Sequence, residues 1–62
     1  MTIQYSDLRE GMRILVSNGG GMHEGTIDEL ERNIKHGEPG AGYVLDNGEG
    51  YWCYVYQIKR IL

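Results

Sequence analysis

Asn47-Gly48, set between the apolar runs Gly42–Asp46 and Tyr51–Val55, constrains this chain more than any other feature. An Asn-Gly pair between apolar runs is the strongest short-range sign of a β-hairpin, because both residues tolerate the positive φ of a tight turn. The pattern predicts a strand over 42–46, a turn over 47–50 and a return strand from Tyr51 to Val55. Residues 51–62 also hold four of the six aromatic side chains. The chain is therefore expected to be β-rich, with more large rings on one strand than so small a core easily buries.

Sixty-two residues make one domain, 1–62, with one small core. A chain of this length buries only about 60% of the surface it exposes when unfolded. Its stability is expected to be on the order of 3–9 kcal/mol, from typical per-residue values. The single cysteine excludes an internal disulfide, and no Cys/His spacing resembles a zinc site. Burial alone must hold the fold, which suits a reducing cytoplasm. No apolar run reaches membrane-spanning length, and the polar start Met1–Tyr5 does not read as a signal peptide.

The net charge is −3, with acids concentrated between Glu24 and Glu31. Nucleic-acid modules carry a clustered basic face, since phosphate neutralisation supplies most of their affinity. Here the six Lys and Arg residues are scattered and only Lys59-Arg60 are adjacent, which disfavours a nucleic-acid partner.

Ser6–Gly11 reads as one short helical turn, with Ser6 as cap and Gly11 as exit. Met12–Val16 follows as a strand, with Met12, Ile14 and Val16 facing inward, Arg13 facing water and Leu15 partly exposed. Asn18–Gly21 reads as a loop making a flexible turn; no lysine follows at phosphate-loop spacing. The middle admits two readings. Thr26 and Glu29 match a capping box, and Ile27, Leu30 and Ile34 fall at i, i+3 and i+7, which predicts a helix over 27–36 in a β-α-β-β domain. The competing reading makes Glu24–Arg32 a strand paired with Met12–Val16, bent near Gly25, with a loop through Pro39-Gly40. At the far end, Tyr56–Ile58 makes a tight turn before a last strand, Lys59–Leu62.

Leu8-Arg9-Glu10-Gly11-Met12-Arg13-Ile14, Gly25-Thr26-Ile27 and the close Tyr56-Gln57-Ile58-Lys59-Arg60-Ile61 together resemble a small SH3-like barrel with a KOW-type opening. The chain also resembles short tailed-phage and prophage proteins of unassigned activity, which open Leu-x-x-Gly-Met-Arg-Val and carry a step like Asn33-Ile34-Lys35. The resemblance implies an all-β, five-stranded barrel with short helical turns, and so selects the strand reading of the middle. Type II dihydrofolate reductases are similar barrels, with a Val-Gln-Ile-Tyr run lining a pore. Here only Gln57-Ile58 match, at the closing turn, so the resemblance does not carry that activity.

His23 and His36 lie in polar, glycine-flanked stretches and are expected to be exposed loop residues. Cys53 reads as a small core residue, and Asp28, Glu29 and Glu31 as a solvated face. No catalytic residue, metal ligand or cofactor follows from these patterns. Alternation along Tyr51–Val55 places Cys53 and Val55 inside, and Trp52 and Tyr54 outside, with Tyr43 of the neighbouring strand beside them. Trp and Tyr are enriched at binding hot spots, so Tyr43, Trp52 and Tyr54 are the candidate partner-binding residues. The expectation is a non-catalytic module that binds a protein partner or itself, with the acidic stretch selecting a basic partner. The alternative is a nucleic-acid accessory barrel that stacks single-stranded bases on these rings beside Lys59-Arg60.

Overall fold

Three hairpins and one short return strand build the molecule, and each turn shows why its residues reverse the chain. The computed structural model describes residues 2–62; Met1 of the polar start lies outside the described residues. Five antiparallel strands form one sheet: β1 (Arg13–Asn18), β2 (Gly21–Lys35), β3 (Glu38–Leu45), β4 (Gly50–Tyr54) and β5 (Ile58–Ile61), in the order β4-β3-β2-β1-β5. The helical content of the described residues is two single 3-10 turns, Tyr5–Asp7 and Val55–Gln57. Among the described residues, no helix is long and apolar enough to cross a membrane.

The helix over 27–36 does not form. Thr26 pairs with Arg13 on one side and Val44 on the other, so its backbone is committed to the sheet. The helical spacing of Ile27 and Leu30 has a different origin. Pairing steps from Ile27↔Tyr43 to Glu29↔Gly42, which leaves Asp28 as the extra residue of a bulge. A bulge breaks the two-residue alternation, so positions three apart, Ile27 and Leu30, both turn to the core. A bulged strand thus imitates the helical pattern.

β2 is also longer than expected. Fifteen extended residues would span about 50 Å at ~3.3 Å per residue, yet the molecule measures 29 Å in its greatest dimension. The strand must bend. Gly25 sits at the hand-over, paired with Ile14 of β1 and Leu45 of β3. A β-carbon there would lie 2.9 Å from the Tyr43 ring and 2.9 Å from the Val44 carbonyl oxygen, so only glycine fits. The loop expected through Pro39-Gly40 is strand instead: β3 begins at Glu38, with Pro39 in the second register irregularity, where its missing N–H costs no ladder bond.

Turn chemistry is redistributed relative to expectation. The turn read at Asn18–Gly21 forms, as a two-residue hairpin turn at Gly19-Gly20, with φ of 61° and 82° between the paired Asn18 and Gly21. His36-Gly37 is a second, with φ of 54° and 77° between Lys35 and Glu38. Asn47-Gly48 does turn β3 into β4, but only Gly48 takes positive φ, and the Leu45 N–H reaches Glu49 O at 2.8 Å. That geometry is a longer loop ending in a left-handed glycine. The first helical turn starts and ends earlier than read, at Tyr5 and Asp7; Gln4, not Ser6, is its N-cap, and the Asp7 carboxylate accepts the Gln4 N–H at 2.9 Å.

The core comprises Leu8, Ile14, Val16, Ile27, Ala41, Tyr43, Cys53 and Ile58, with Met12, Leu30 and Val55 packed against it. Ile14 and Val16 face inward as expected, and Arg13 faces outward. Arg13 spans two strands and a turn, donating to Glu24 at 2.6 Å, Asp46 at 3.2 Å and Thr26 Oγ1 at 3.3 Å. The two carboxylates hold its guanidinium pKa above the ordinary value. Exposed pairs of this kind contribute little stability but resist slippage of register.

Candidate functional site

On the face of β2-β3-β4 turned away from the core, register creates two parallel rows. Glu29 pairs with Gly42, which pairs with Trp52; Glu31 pairs with Gly40, which pairs with Tyr54. The intervening rows, Ile27–Tyr43–Tyr51 and Leu30–Ala41–Cys53, belong to the opposite face. In these two rows the central strand contributes only glycine between carboxylates on β2 and aromatic rings on β4, and Val44 follows in the next row of the same face. Both glycines are buried, Gly40 beneath Ile34 and Gly42 beneath Trp52, Asp28 and Glu29, so the face is a shallow trough over which neighbouring side chains lie down.

Trp52 leans across that floor. A β-carbon on Gly42 would stand 3.5 Å from Trp52 Cη2, 3.1 Å from Asp28 Oδ1 and 3.6 Å from Glu29 Cβ. The bulge is what brings Asp28 to this face beside Glu29. Two open depressions flank the indole, one of about 310 Å³ bordered by Asp28, Glu29, Gly42, Tyr43, Gly50 and Tyr51, the other by Glu31, Asn33 and Ile34. Trp52 is 48% exposed. Tyr54 is half-buried and stacks on the exposed Tyr56, with centroids 5.3 Å apart. Among the described residues, none of Asp28, Glu29 and Glu31 forms an ion pair.

Tyr43 borders the first depression, but it does not stand exposed beside Trp52, which corrects its expected position. It pairs with Tyr51, not Trp52, and its side chain is fully buried. Its ring lies 5.9 Å from that of Tyr51, and its phenol oxygen accepts from Asn18 Nδ2 at 3.1 Å and hydrogen-bonds His23 Nδ1 at 3.0 Å. Desolvation raises the Tyr43 pKa above its ordinary value. His23 is likewise no loop residue: it lies in β2, half-buried, with its ring 5.2 Å from Tyr51. His36 is exposed in its turn. The missed signal was the alternation of Gly40-Ala41-Gly42-Tyr43, where only one face carries side chains large enough for a core.

Both free-edge groups of β4 that have side-chain partners are capped from within the chain. Gln57 Oε1 accepts the Tyr54 N–H at 2.8 Å, and Asn18 Nδ2 donates to the Trp52 carbonyl at 3.2 Å. Such caps discourage strand addition at an edge.

Cys53 is buried, and desolvation pushes its thiol up to about 11. The thiolate is the reactive form, so alkylation of the folded protein at neutral pH is expected to be limited by unfolding. The same shift has a stability consequence. As pH rises from the ordinary value of 9.0 towards about 11, the unfolded chain loses the thiol proton while the folded chain keeps it. Stability therefore falls with rising pH across that window, by at most about 1.4 kcal/mol per unit. Urea melts at both ends of the window should show a smaller alkaline loss in Cys53→Ala than in the native protein; equal losses would contradict it. Tyr43 contributes in the same direction but is common to both proteins.

Among the described residues, no group of three or more His, Cys, Asp and Glu side chains is placed to hold a metal ion. In comparisons with protein-family models, curated proteins and solved structures, the chain matches none.

Proposed function

We propose that this chain is a small SH3-like barrel acting as a non-catalytic interaction module, which binds a protein partner or itself through the Trp52–Tyr54 face. Support for the barrel comes from the long bent β2 shared between β1 and β3, and from the single 3-10 turn before the last short strand. The Leu8–Ile14 opening supports a phage or prophage origin, and one buried thiol suits the cytoplasm.

One observation carries the interaction reading. The only tryptophan of the chain stands half-exposed over a glycine floor, with open space on both sides. A core with room for that indole would bury it, since a Trp side chain removes 150–250 Å² of surface on full burial. A second reading, the base-stacking accessory barrel, draws on the stacked Tyr54–Tyr56 pair and on Lys59, whose Nζ donates to Tyr56 O at 3.3 Å. The carboxylates beside Trp52 rank it lower, because they repel phosphate.

Trp52→Ala tests the proposal. The fold should survive, because the ring is half in water, while association weakens by roughly 2 kcal/mol or more, as for hot-spot truncations. Sedimentation of both proteins over a concentration series reads self-association. Quantitative affinity capture from the native host, native protein against variant, reads partners. Identical sedimentation and identical captured proteins would contradict the proposal.

A further inference from the structure

We infer that the occupant of the glycine-floored trough is a basic, arginine-bearing extended segment of a partner protein, with a guanidinium stacked on Trp52 between the carboxylates. The inference rests on the aromatic face just proposed and names the chemistry of its partner. Its warrant is charge complementarity at one place. Asp28 and Glu29 border the depression on one side of the indole, and Glu31 borders the other. Among the described residues none of these three is paired with a cation, whereas Glu24 and Asp46, elsewhere on the surface, share Arg13.

The shape agrees with the charge. Gly42 and Gly40 let Trp52 and Ile34 pack close to the central strand, and the half-exposed indole then stands between two open depressions where a flat group can stack on it. Arg offers a planar, weakly hydrated cation that stacks on aromatic faces and forms paired bonds to carboxylates; Lys offers only a point charge. Cations within about 6 Å of a Trp centroid gain most from the ring quadrupole. Three carboxylates without a cation partner among the described residues, Glu31 accepting only the Asn33 N–H at 3.2 Å, surround one exposed indole, a surface that a basic segment relieves and that an acidic segment or a phosphate chain does not.

Trp52 is the sole tryptophan, so its emission reports the trough directly. The probe is a capped hexapeptide of alternating glycine and arginine, compared with its lysine and glutamate counterparts and with a short oligothymidylate. The arginine peptide should perturb Trp52 emission saturably, more tightly than the lysine peptide, and the glutamate peptide should not perturb it. Its affinity should fall with added salt, and should fall tenfold or more in the triple variant Asp28→Asn, Glu29→Gln, Glu31→Gln. Gly42→Ala, which places a methyl on the trough floor against the movable Asp28 carboxylate, should also weaken it while the melting temperature changes little.

No saturable response to the arginine peptide overturns the inference. So does unchanged affinity in the neutral triple variant, or tighter binding of the oligothymidylate than of the arginine peptide. A concentration-dependent shift of Trp52 emission without peptide, matched by dimer in sedimentation, assigns the face to a second copy and also overturns it. In the first and last cases, loss of association in Trp52→Ala would leave the aromatic face standing and reject only the basic partner.

Discussion

Gly40→Ala is expected to leave the chain largely unfolded. The β-carbon it adds would fall on the Cys53 carbonyl of the neighbouring strand and on Cδ1 of Ile34. One obstacle is backbone, which cannot step aside without breaking the β3–β4 ladder at Gly40↔Tyr54. Overpacking in a tight interior costs typically 1–3 kcal/mol, and more where backbone is the obstacle. Against a total stability on the order of 3–9 kcal/mol, that removes most of the margin. Gly50→Ala is the matched control, since its β-carbon meets nothing within 4 Å and its φ is not positive. Thermal melts followed by circular dichroism should show Gly50→Ala close to the native protein and Gly40→Ala without a cooperative transition. A native-like melt of Gly40→Ala would mean that β3 and β4 approach less closely than described.

Tyr43→Ala is expected to cost about 3–5 kcal/mol, the range for emptying the site of a large buried ring. Tyr43→Phe keeps the packing but leaves Asn18 and His23 without their phenol partner. A loss of roughly 1–2 kcal/mol is expected there, because both groups are only partly buried and water can replace the bond. Urea denaturation measures both. The pair separates two roles: as a core residue Tyr43 changes stability, and Tyr43→Phe leaves association through Trp52 untouched. Altered association in Tyr43→Phe at unchanged stability would return Tyr43 to the partner-binding surface.

Several parts of the architecture were legible in the residues because they depend on near neighbours. The β-branched run at Arg13–Val16 is a strand, the chain reverses at Asn47-Gly48, and a short turn precedes the last strand. Parity along β4 correctly separated buried Cys53 from exposed Trp52, since alternation is a property of any extended chain. Parity between strands was not legible. Tyr43 was placed beside Trp52, but the register pairs Trp52 with Gly42, and one step of register exchanges the two faces.

What the residues alone determined, then, is local: turns at glycines, extended runs of branched side chains, and the alternation within each strand. The tertiary structure decided everything that needs two segments at once. Thr26–Glu29 carries a sound helix-start pattern, yet pairing with β1 and β3 holds it extended, because ladder bonds on both sides outweigh a local cap. The bulge at Asp28 exists only relative to β3, and it turns an acidic stretch into one wall of a trough. Glycines 40 and 42 read as punctuation along the chain, but their role is to let β4 and Trp52 approach β3 and β2. Close approach is a relation between strands, and no single strand encodes it.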